Sequence, residues 1–167
     1  MNKIFSTSDL ITKVREYQEK NTILKEKSHH FVFDCPFNKT INMKPSFIWI
    51  GVNPGSDKND WAKTNYKNSE ETRDYDFQEV YGRSEHSKKR MNKVRKFLGN
   101  EFFNITTHTE LFFWCSDNTT SDFAKRYGTS FKQNSHLEFC IKLNKKLIDR
   151  IKPKAIFFES IPKLSMI

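Results

Sequence analysis

One stretch of the chain reads Ser46-Phe47-Ile48-Trp49-Ile50-Gly51-Val52-Asn53-Pro54-Gly55-Ser56, a short apolar run that ends abruptly in turn-forming residues. The run from Phe47 to Ile50 predicts a buried strand, and the glycines, asparagine and proline after it predict a turn. In open α/β sheets, ligands bind beyond the carboxyl ends of the strands. We therefore expect the turn, rather than the strand, to carry the chemistry.

Helical patterns lie on both sides of this stretch. They cover Ser8 to about Lys27, Ser84 to Leu98 and Ser135 to Lys152. Ser6, Thr7 or Ser8 is expected to cap the first helix, and Leu10, Val14 and Tyr17 form its apolar face. In the last helix, Ser135 to Glu138 forms a capping box, after which Leu137, Ile141, Ile148 and Ile151 recur at helical spacing.

Strand-like runs alternate with these helices. They cover Phe31 to Phe33, Phe102 to Thr106, Thr109 to Trp114 and Ala155 to Phe158, and polar loops are predicted over Asp57 to Gly82 and Cys115 to Asn134. Alternation of this kind is typical of a parallel sheet covered by helices on both faces. The predicted fold class is α/β, a three-layer α/β/α arrangement with a mainly parallel central sheet, in one domain over residues 1–167.

The net charge of +9 is unevenly distributed. Seven bases and one acid lie between Arg83 and Lys96, six bases and one acid lie between Lys142 and Lys154, and Asp57 to Gly82 is net −3. Segregated positive charge suits phosphate backbones. The predicted nucleic-acid-binding residues are Lys88, Lys89, Arg90 and Lys93. The alternative is that both basic stretches are the solvent-facing sides of amphipathic helices.

Several classes of protein are not expected. No apolar run approaches the roughly 20 residues of a membrane-spanning helix, and the first residues lack the apolar middle of a signal peptide. Cys35, Cys115 and Cys140 are scattered without a C-x-x-C pair, which argues against a disulfide framework, a zinc site or an iron–sulfur cluster. We expect a cytoplasmic, monomeric protein without membrane contact, metal or cofactor.

The turn at residues 51–56 restricts the possible chemistry. Its glycines let backbone approach a ligand closely, and the Asn53 amide can hold a water or a substrate edge, although it cannot act as a general base. No G-K-[ST] sequence follows, so this is not a Walker loop, and the G-x-G-x-x-G dinucleotide pattern is also absent. The alternative is an ordinary tight turn in which Asn53 bonds its own backbone.

An apolar strand that runs into Gly51-Val52-Asn53-Pro54-Gly55 resembles the first active-site motif of the uracil-DNA glycosylase superfamily, in the branches that use asparagine. The resemblance implies the fold of that superfamily and DNA, single- or double-stranded, as partner. It implies that Asn53 orients the water that attacks C1′ of a flipped-out nucleotide, while Gly51, Val52, Pro54 and Gly55 line the substrate. Base flipping also calls for an aromatic platform. Trp61, Tyr66, Tyr75 and Phe77 could each supply it, and Phe77 is included among the predicted substrate-binding residues.

Two features depart from that family. Where its members present an asparagine on a later strand to read the base, this chain has Thr109-Glu110-Leu111. An ionised Glu110 only accepts hydrogen bonds, which favours a base other than uracil, whereas a protonated one also donates; the alternative is a strand-end residue paired with a lysine. The family's terminal histidine motif is also missing before Ile167. Either the protein is shortened at its C-terminus or part of the mechanism has been lost, and His108 could substitute or be merely structural.

The predicted function is that of a DNA glycosylase-like enzyme that hydrolyses the N-glycosidic bond of uracil or another altered base. The first alternative is a catalytically inactive relative that binds nucleic acid. A third possibility is a protein that acts on free nucleosides or nucleotides.

Overall fold

The computed structural model of the chain describes residues 6–27, 31–36, 44–52, 89, 92, 95–96, 99–114 and 121–159. Within these residues, helices accompany one four-stranded sheet, which confirms the predicted α/β class. The strand order is β1 (Cys35–Pro36), β3 (Thr106–Glu110), β2 (Phe47–Gly51) and β4 (Ala155–Phe158). β2 pairs in parallel with β3 and β4, whereas β1 is antiparallel to β3.

The strand predicted at residues 47–50 is confirmed, and it lies between the two other parallel strands. Ile50 is opposite Thr109 on β3 and Phe158 on β4. Because side chains alternate along a strand, Ile48 and Ile50 point to one face of the sheet and Phe47 and Trp49 to the other. The carboxyl ends of the three parallel strands therefore meet at one edge, where Gly51 is located.

Two helices pack together on the Ile50 face, α1 (Ser8–Lys20) and α5 (Ser135–Ile151). Asn144 of α5 accepts a hydrogen bond from Thr109, which shares this face with Ile50. Asp9, at the start of α1, pairs with Arg150, near the end of α5, so the two helices run antiparallel. The apolar core joins both helices to the sheet and to the segment after β3; its fully enclosed members include Val14, Leu24, Phe33, Ile48, Phe112, Trp114 and Leu147.

The opposite face of the sheet carries an aromatic cluster. Phe102, from α3 (Asn100–Asn104), packs with Phe47, Trp49 and Phe157 at ring-centroid distances of 5.2–6.2 Å. The sequence predicted a strand over Phe102 to Thr106, and this prediction is wrong. Gly99, at φ 82, separates the preceding helical residues from α3, of which it is the N-cap. β3 then starts only at Thr106.

Other boundaries also differ from the predictions. The first helix is interrupted at Asn21, whose backbone is extended and whose side-chain amide donates to the Tyr17 carbonyl at 2.6 Å; α2 (Thr22–Lys27) follows. The predicted loop before α5 contains α4 (Ser121–Tyr127) and a 3-10 helix (Phe131–Gln133). Phe123, Tyr127 and Phe131 pack on Phe112, so tertiary contacts stabilise short helices in a polar sequence.

The predicted helix at residues 135–152 is confirmed, but its cap and its buried face differ in detail. Asn134, not Ser135, is the N-cap, and its side-chain oxygen accepts from the His136 backbone N–H at 2.9 Å. Ile141 is 37% exposed. The buried positions are Leu137, Cys140, Leu143, Asn144, Leu147 and Ile151. Lys152 ends the helix in the left-handed region, before Pro153.

Two further predictions are only partly covered. For the helix at Ser84 to Leu98, the described residues 89, 92, 95 and 96 are helical. The loop predicted over Asp57 to Gly82 lies outside the described residues. In the predicted first strand, Phe31 forms an isolated antiparallel bridge with Trp114, and the paired strand β1 follows a few residues later.

Candidate functional site

The first residues of the predicted turn lie beside Glu110 at the carboxyl edge of the sheet. Gly51, the last residue of β2, is directly opposite Glu110, the last residue of β3. The pairing continues beyond both strands, because Leu111 N–H donates to the Gly51 carbonyl at 2.8 Å and Phe112 N–H to the Val52 carbonyl at 2.9 Å. The backbone that leads to Asn53 is therefore held against the segment that follows Glu110.

The Glu110 side chain fills the space above Gly51. A Cβ placed on Gly51 would lie 2.7 Å from the Glu110 Cδ and 2.8 Å from Oε1, and closer still to Oε2. Real Cβ atoms do not tolerate such contacts. A side chain at position 51 would therefore force the buried carboxylate of the next strand to move, and this carboxylate lies beside the end of β2.

His108 is the second ionisable group of the site. It lies two residues before Glu110, on the same face of β3, and its Nε2 is 3.2 Å from Glu110 Oε1. Its side chain is fully enclosed and Glu110 is 4% exposed. At this distance a protonated His108 would form an ion pair with the Glu110 carboxylate. His108 was considered at a strand end, whereas it lies inside β3, opposite Trp49.

A buried amide on α5 fixes the end of β3. The Asn144 Nδ2 donates to the Glu110 carbonyl at 2.8 Å, and its Oδ1 accepts from the Thr109 hydroxyl at 2.9 Å. Sequence reasoning missed this residue. A polar side chain at an interior position of the buried stripe was the available signal, since buried polar groups need partners.

Glu159 contributes a second carboxylate at the same edge, immediately after β4. Its N–H donates to the Ile50 carbonyl at 3.0 Å, and its Oε2 accepts from Trp49 Nε1 at 3.2 Å. Gly51 therefore ends a strand whose two neighbours each carry a glutamate at that edge. Sequence reasoning also missed Glu159, although its place just after an apolar strand indicated a position at the edge.

Asp34 lies just before β1 and links Thr107 of β3 to Thr7 at the start of α1. Its carboxylate accepts from the Thr107 hydroxyl at 2.9 Å and from the Thr7 hydroxyl. Asp34 is 2% exposed and has φ 50. Thr7 is the N-cap of α1, yet its side chain makes no cap hydrogen bond, because its hydroxyl donates to the Asp34 carboxylate instead.

The remaining predicted site residues are only partly covered. Lys89 is helical and exposed, and nearby Arg95 places its guanidinium 5.1 Å from the centre of the Phe103 ring. Asn53, Pro54, Gly55, Phe77, Lys88, Arg90 and Lys93 lie outside the described residues. The structure therefore brings together Gly51, Val52 and Glu110 of the predicted set and adds His108, Asn144 and Glu159.

The described residues contain no group of three or more histidine, cysteine, aspartate or glutamate side chains that could hold a metal ion. Among the helices described here, none has the length and apolar character needed to cross a membrane.

Compared with protein-family models, curated proteins and solved structures, the chain matches none.

Proposed function

We propose that this protein is a DNA glycosylase-like enzyme of the uracil-DNA glycosylase type, which hydrolyses the N-glycosidic bond of an altered base. The observation that carries the proposal is the pairing of Gly51 with Glu110. Gly51 begins the segment that resembles the family's first motif, and Glu110 stands in the segment that departs from the family's base-reading motif. The two residues are almost sixty positions apart in the chain, yet they are adjacent at the edge where α/β sheets bind ligands. Helical residues contact both faces of the sheet, which supports the three-layer arrangement that the proposal requires.

In the proposed reaction, Asn53 orients the water that attacks C1′ of the flipped nucleotide. The bond from C1′ to the base nitrogen breaks, the base leaves with the electron pair, and the water contributes hydroxyl to C1′ and its proton to the departing base. Glu110 reads the base, and His108 lies beside its carboxylate. As a carboxylate, Glu110 accepts from a ring N–H or an exocyclic amine; as a carboxylic acid, it also donates to a carbonyl.

The proposed DNA contact is electrostatic. Lys89, exposed on a helical segment, belongs to a run in which Lys88, Arg90 and Lys93 are also proposed to neutralise phosphates. Arg95 of the same run covers the ring of Phe103 and so holds this segment against α3. Affinity for DNA should therefore fall steeply with salt, as expected when bound cations are released from phosphates.

The test is excision of uracil, and of deaminated or alkylated bases, from single- and double-stranded oligonucleotides. Asn53→Ala should reduce the rate by about 100-fold or more, the usual effect of removing one preorganised polar group. Asn100→Ala, an exposed site on α3, is the matched control. Glu110→Gln should change the preference among bases, because an amide offers a donor where a carboxylate does not. Excision that is unaffected by Asn53→Ala would refute the mechanism.

A second candidate, a catalytically inactive module that binds nucleic acid, is favoured by the burial of the reading group. Glu110 is 4% exposed, and one of its oxygens already contacts His108. If Glu110 has only a structural role, the protein still binds nucleic acid but does not release a base. Salt-dependent DNA binding with no base released from any substrate would support this candidate, and turnover on any base would reject it.

A further inference from the structure

A groove of about 310 Å³ lies between α1 and α5, apart from the sheet edge. Antiparallel packing of the two helices forms its walls. Its lining residues are Lys13, Glu16, Tyr17 and Lys20 from α1, and Phe139, Lys142, Leu143 and Lys146 from α5. Among the described site residues, Gly51, His108 and Glu110 do not line it.

The rim of the groove is strongly cationic. Four lysines surround a single glutamate, two lysines on each helix. All four are exposed, and none of them forms an ion pair within the part of the chain that the structure describes. By contrast, Asp9 and Arg150, at the end of the same two helices, are paired with each other. The uncompensated charge is thus concentrated along the groove and suits an acidic partner.

The floor of the groove is apolar and its aromatic rings are already stacked. Tyr17 and Phe139 lie face to face with centroids 3.7 Å apart and an interplanar angle of 9°. The Tyr17 hydroxyl is engaged with His136 Nδ1 at 3.0 Å. Because each ring covers a face of the other, a nucleobase cannot insert between them. Aliphatic side chains can still pack on the edges of the two rings, which are only partly buried.

We infer that this groove binds an acidic amphipathic helix of a partner protein. Two antiparallel helices with a cleft between them accept a third helix by ordinary helix-in-groove packing, in which apolar anchors recur at i, i+3 and i+4. Glutamates or aspartates beside those anchors reach the lysines on both walls. Glu16 favours a peptide over a phosphate backbone, since a peptide can place a neutral or basic residue there whereas every nucleotide carries a negative charge.

The test uses the full chain and fluorescein-labelled helical peptides of about 18 residues. One peptide has leucines at i, i+3, i+4 and i+7, glutamates beside them and alanines at the remaining positions, a second has the same composition in scrambled order, and a third replaces glutamate by lysine. A mixed-sequence single-stranded oligonucleotide is the fourth probe. Fluorescence anisotropy should show binding of the first peptide only, weakened when salt is raised from about 0.05 M to about 0.3 M.

The location is tested by Lys142→Glu/Lys146→Glu, with Lys132→Glu/Lys145→Glu as the control of equal charge on exposed sites outside the groove lining. The first variant should weaken binding of the acidic peptide by about tenfold or more, and the control by less than about threefold. Circular dichroism checks that both variants are folded. The inference would be overturned if the first acidic peptide did not bind, if the scrambled peptide bound equally well, or if both variants lost binding equally. It would also be overturned if the oligonucleotide bound more tightly than the peptide and was equally sensitive to Lys142→Glu/Lys146→Glu.

Discussion

The Glu110 carboxylate occupies the space that a side chain at Gly51 would need. This requirement differs in kind from that of two other glycines. Gly99 and Gly128 have φ values of 82 and 77 and open space around the missing Cβ, so backbone conformation favours glycine there. At position 51 the reason is a group on the neighbouring strand. The glycine of the turn motif and the glutamate of the later strand are therefore one structural unit.

The first prediction concerns that unit. Gly51→Ala should lower the free energy of unfolding by about 2–3 kcal/mol, because the new methyl group collides with a buried carboxylate that is held by β3 and His108. In a Glu110→Ala background the same change should cost at least about 1 kcal/mol less, since the colliding group is gone. Urea unfolding of the four proteins measures this coupling.

Gly128→Ala is the control for this cycle. Its cost, about 1 kcal/mol from the positive φ, should be the same with glutamate or alanine at position 110. If Gly51→Ala were as costly without the carboxylate as with it, the packing of Glu110 on Gly51 would not be the reason for glycine at this site.

The second prediction concerns the amide that holds the end of β3. Asn144→Ala should lower the free energy of unfolding by about 2–4 kcal/mol, because it leaves the Thr109 hydroxyl and the Glu110 carbonyl buried without this partner. Lys145→Ala, at the next and exposed position of α5, should change it by less than about 0.5 kcal/mol. Thermal or urea unfolding provides the measurement, and equal stability of the two variants would contradict the assignment.

Asn144→Asp distinguishes the two hydrogen bonds. Aspartate still accepts from Thr109, but it places a carboxylate oxygen against the Glu110 carbonyl, where a donor is needed. We expect a loss of stability at neutral pH comparable to that of Asn144→Ala. A fully stable Asn144→Asp variant would mean that the bond to the Glu110 carbonyl contributes little.

The parts of the fold that sequence predicted well are those with a strong local signal. Ile48 and Ile50 alternate within an apolar run that ends at glycine, and Pro153 limits α5, so β2, α5 and β4 were located to within a residue or two. The parts predicted wrongly depend on tertiary contacts. Phe102 and Phe103 are β-favouring residues, yet they lie in a helix, where both side chains are buried and Phe102 packs on the sheet.

The candidate site shows the same division. Gly51 could be identified from the chain because it follows an apolar run, and Glu110 because it stands where the family that the turn resembles has an asparagine. Their register, the approach of the carboxylate to the glycine, and the choice of Asn144 as the anchor depend on which strands are neighbours. A single sequence carries no local signal for strand order, so these relationships required the folded structure.

The third prediction concerns the ion pair between α1 and α5. Hydrogen bonding to Arg150 lowers the pKa of Asp9 from 3.8 to about 2. A depressed carboxyl pKa stabilises the fold above the unfolded value of 3.8, and this contribution is lost as the pH falls from about 4 to about 2. Asp9→Asn should therefore cost about 0.5 kcal/mol at pH 7, since both partners are partly exposed, and the difference should shrink towards pH 3. Asp149→Asn, an exposed acid on α5, is the control for urea unfolding at each pH.

The fourth prediction concerns His136, at the first turn of α5. Burial lowers its pKa below 6.5, and burial also raises the pKa of Tyr17, so at neutral pH the Tyr17 hydroxyl can donate to the uncharged Nδ1. The unfolded chain binds the proton on this histidine more readily than the folded chain does. The stability that depends on uncharged His136 is therefore fully present above pH 6.5 and is lost as the pH falls below that value. Relative to His136→Gln, the native protein should lose stability as the pH falls below 6.5.

Proton NMR titration of the His136 ring tests the cause directly. Tyr17→Phe removes the hydroxyl but keeps the ring that covers His136 at a centroid distance of 5.7 Å. Since desolvation, rather than the hydrogen bond, lowers the pKa, we expect it to stay below 6.5 in this variant. A return of the pKa to 6.5 in Tyr17→Phe would instead assign the shift to the hydroxyl, and a normal pKa in the native protein would remove the basis for the predicted loss of stability in acid.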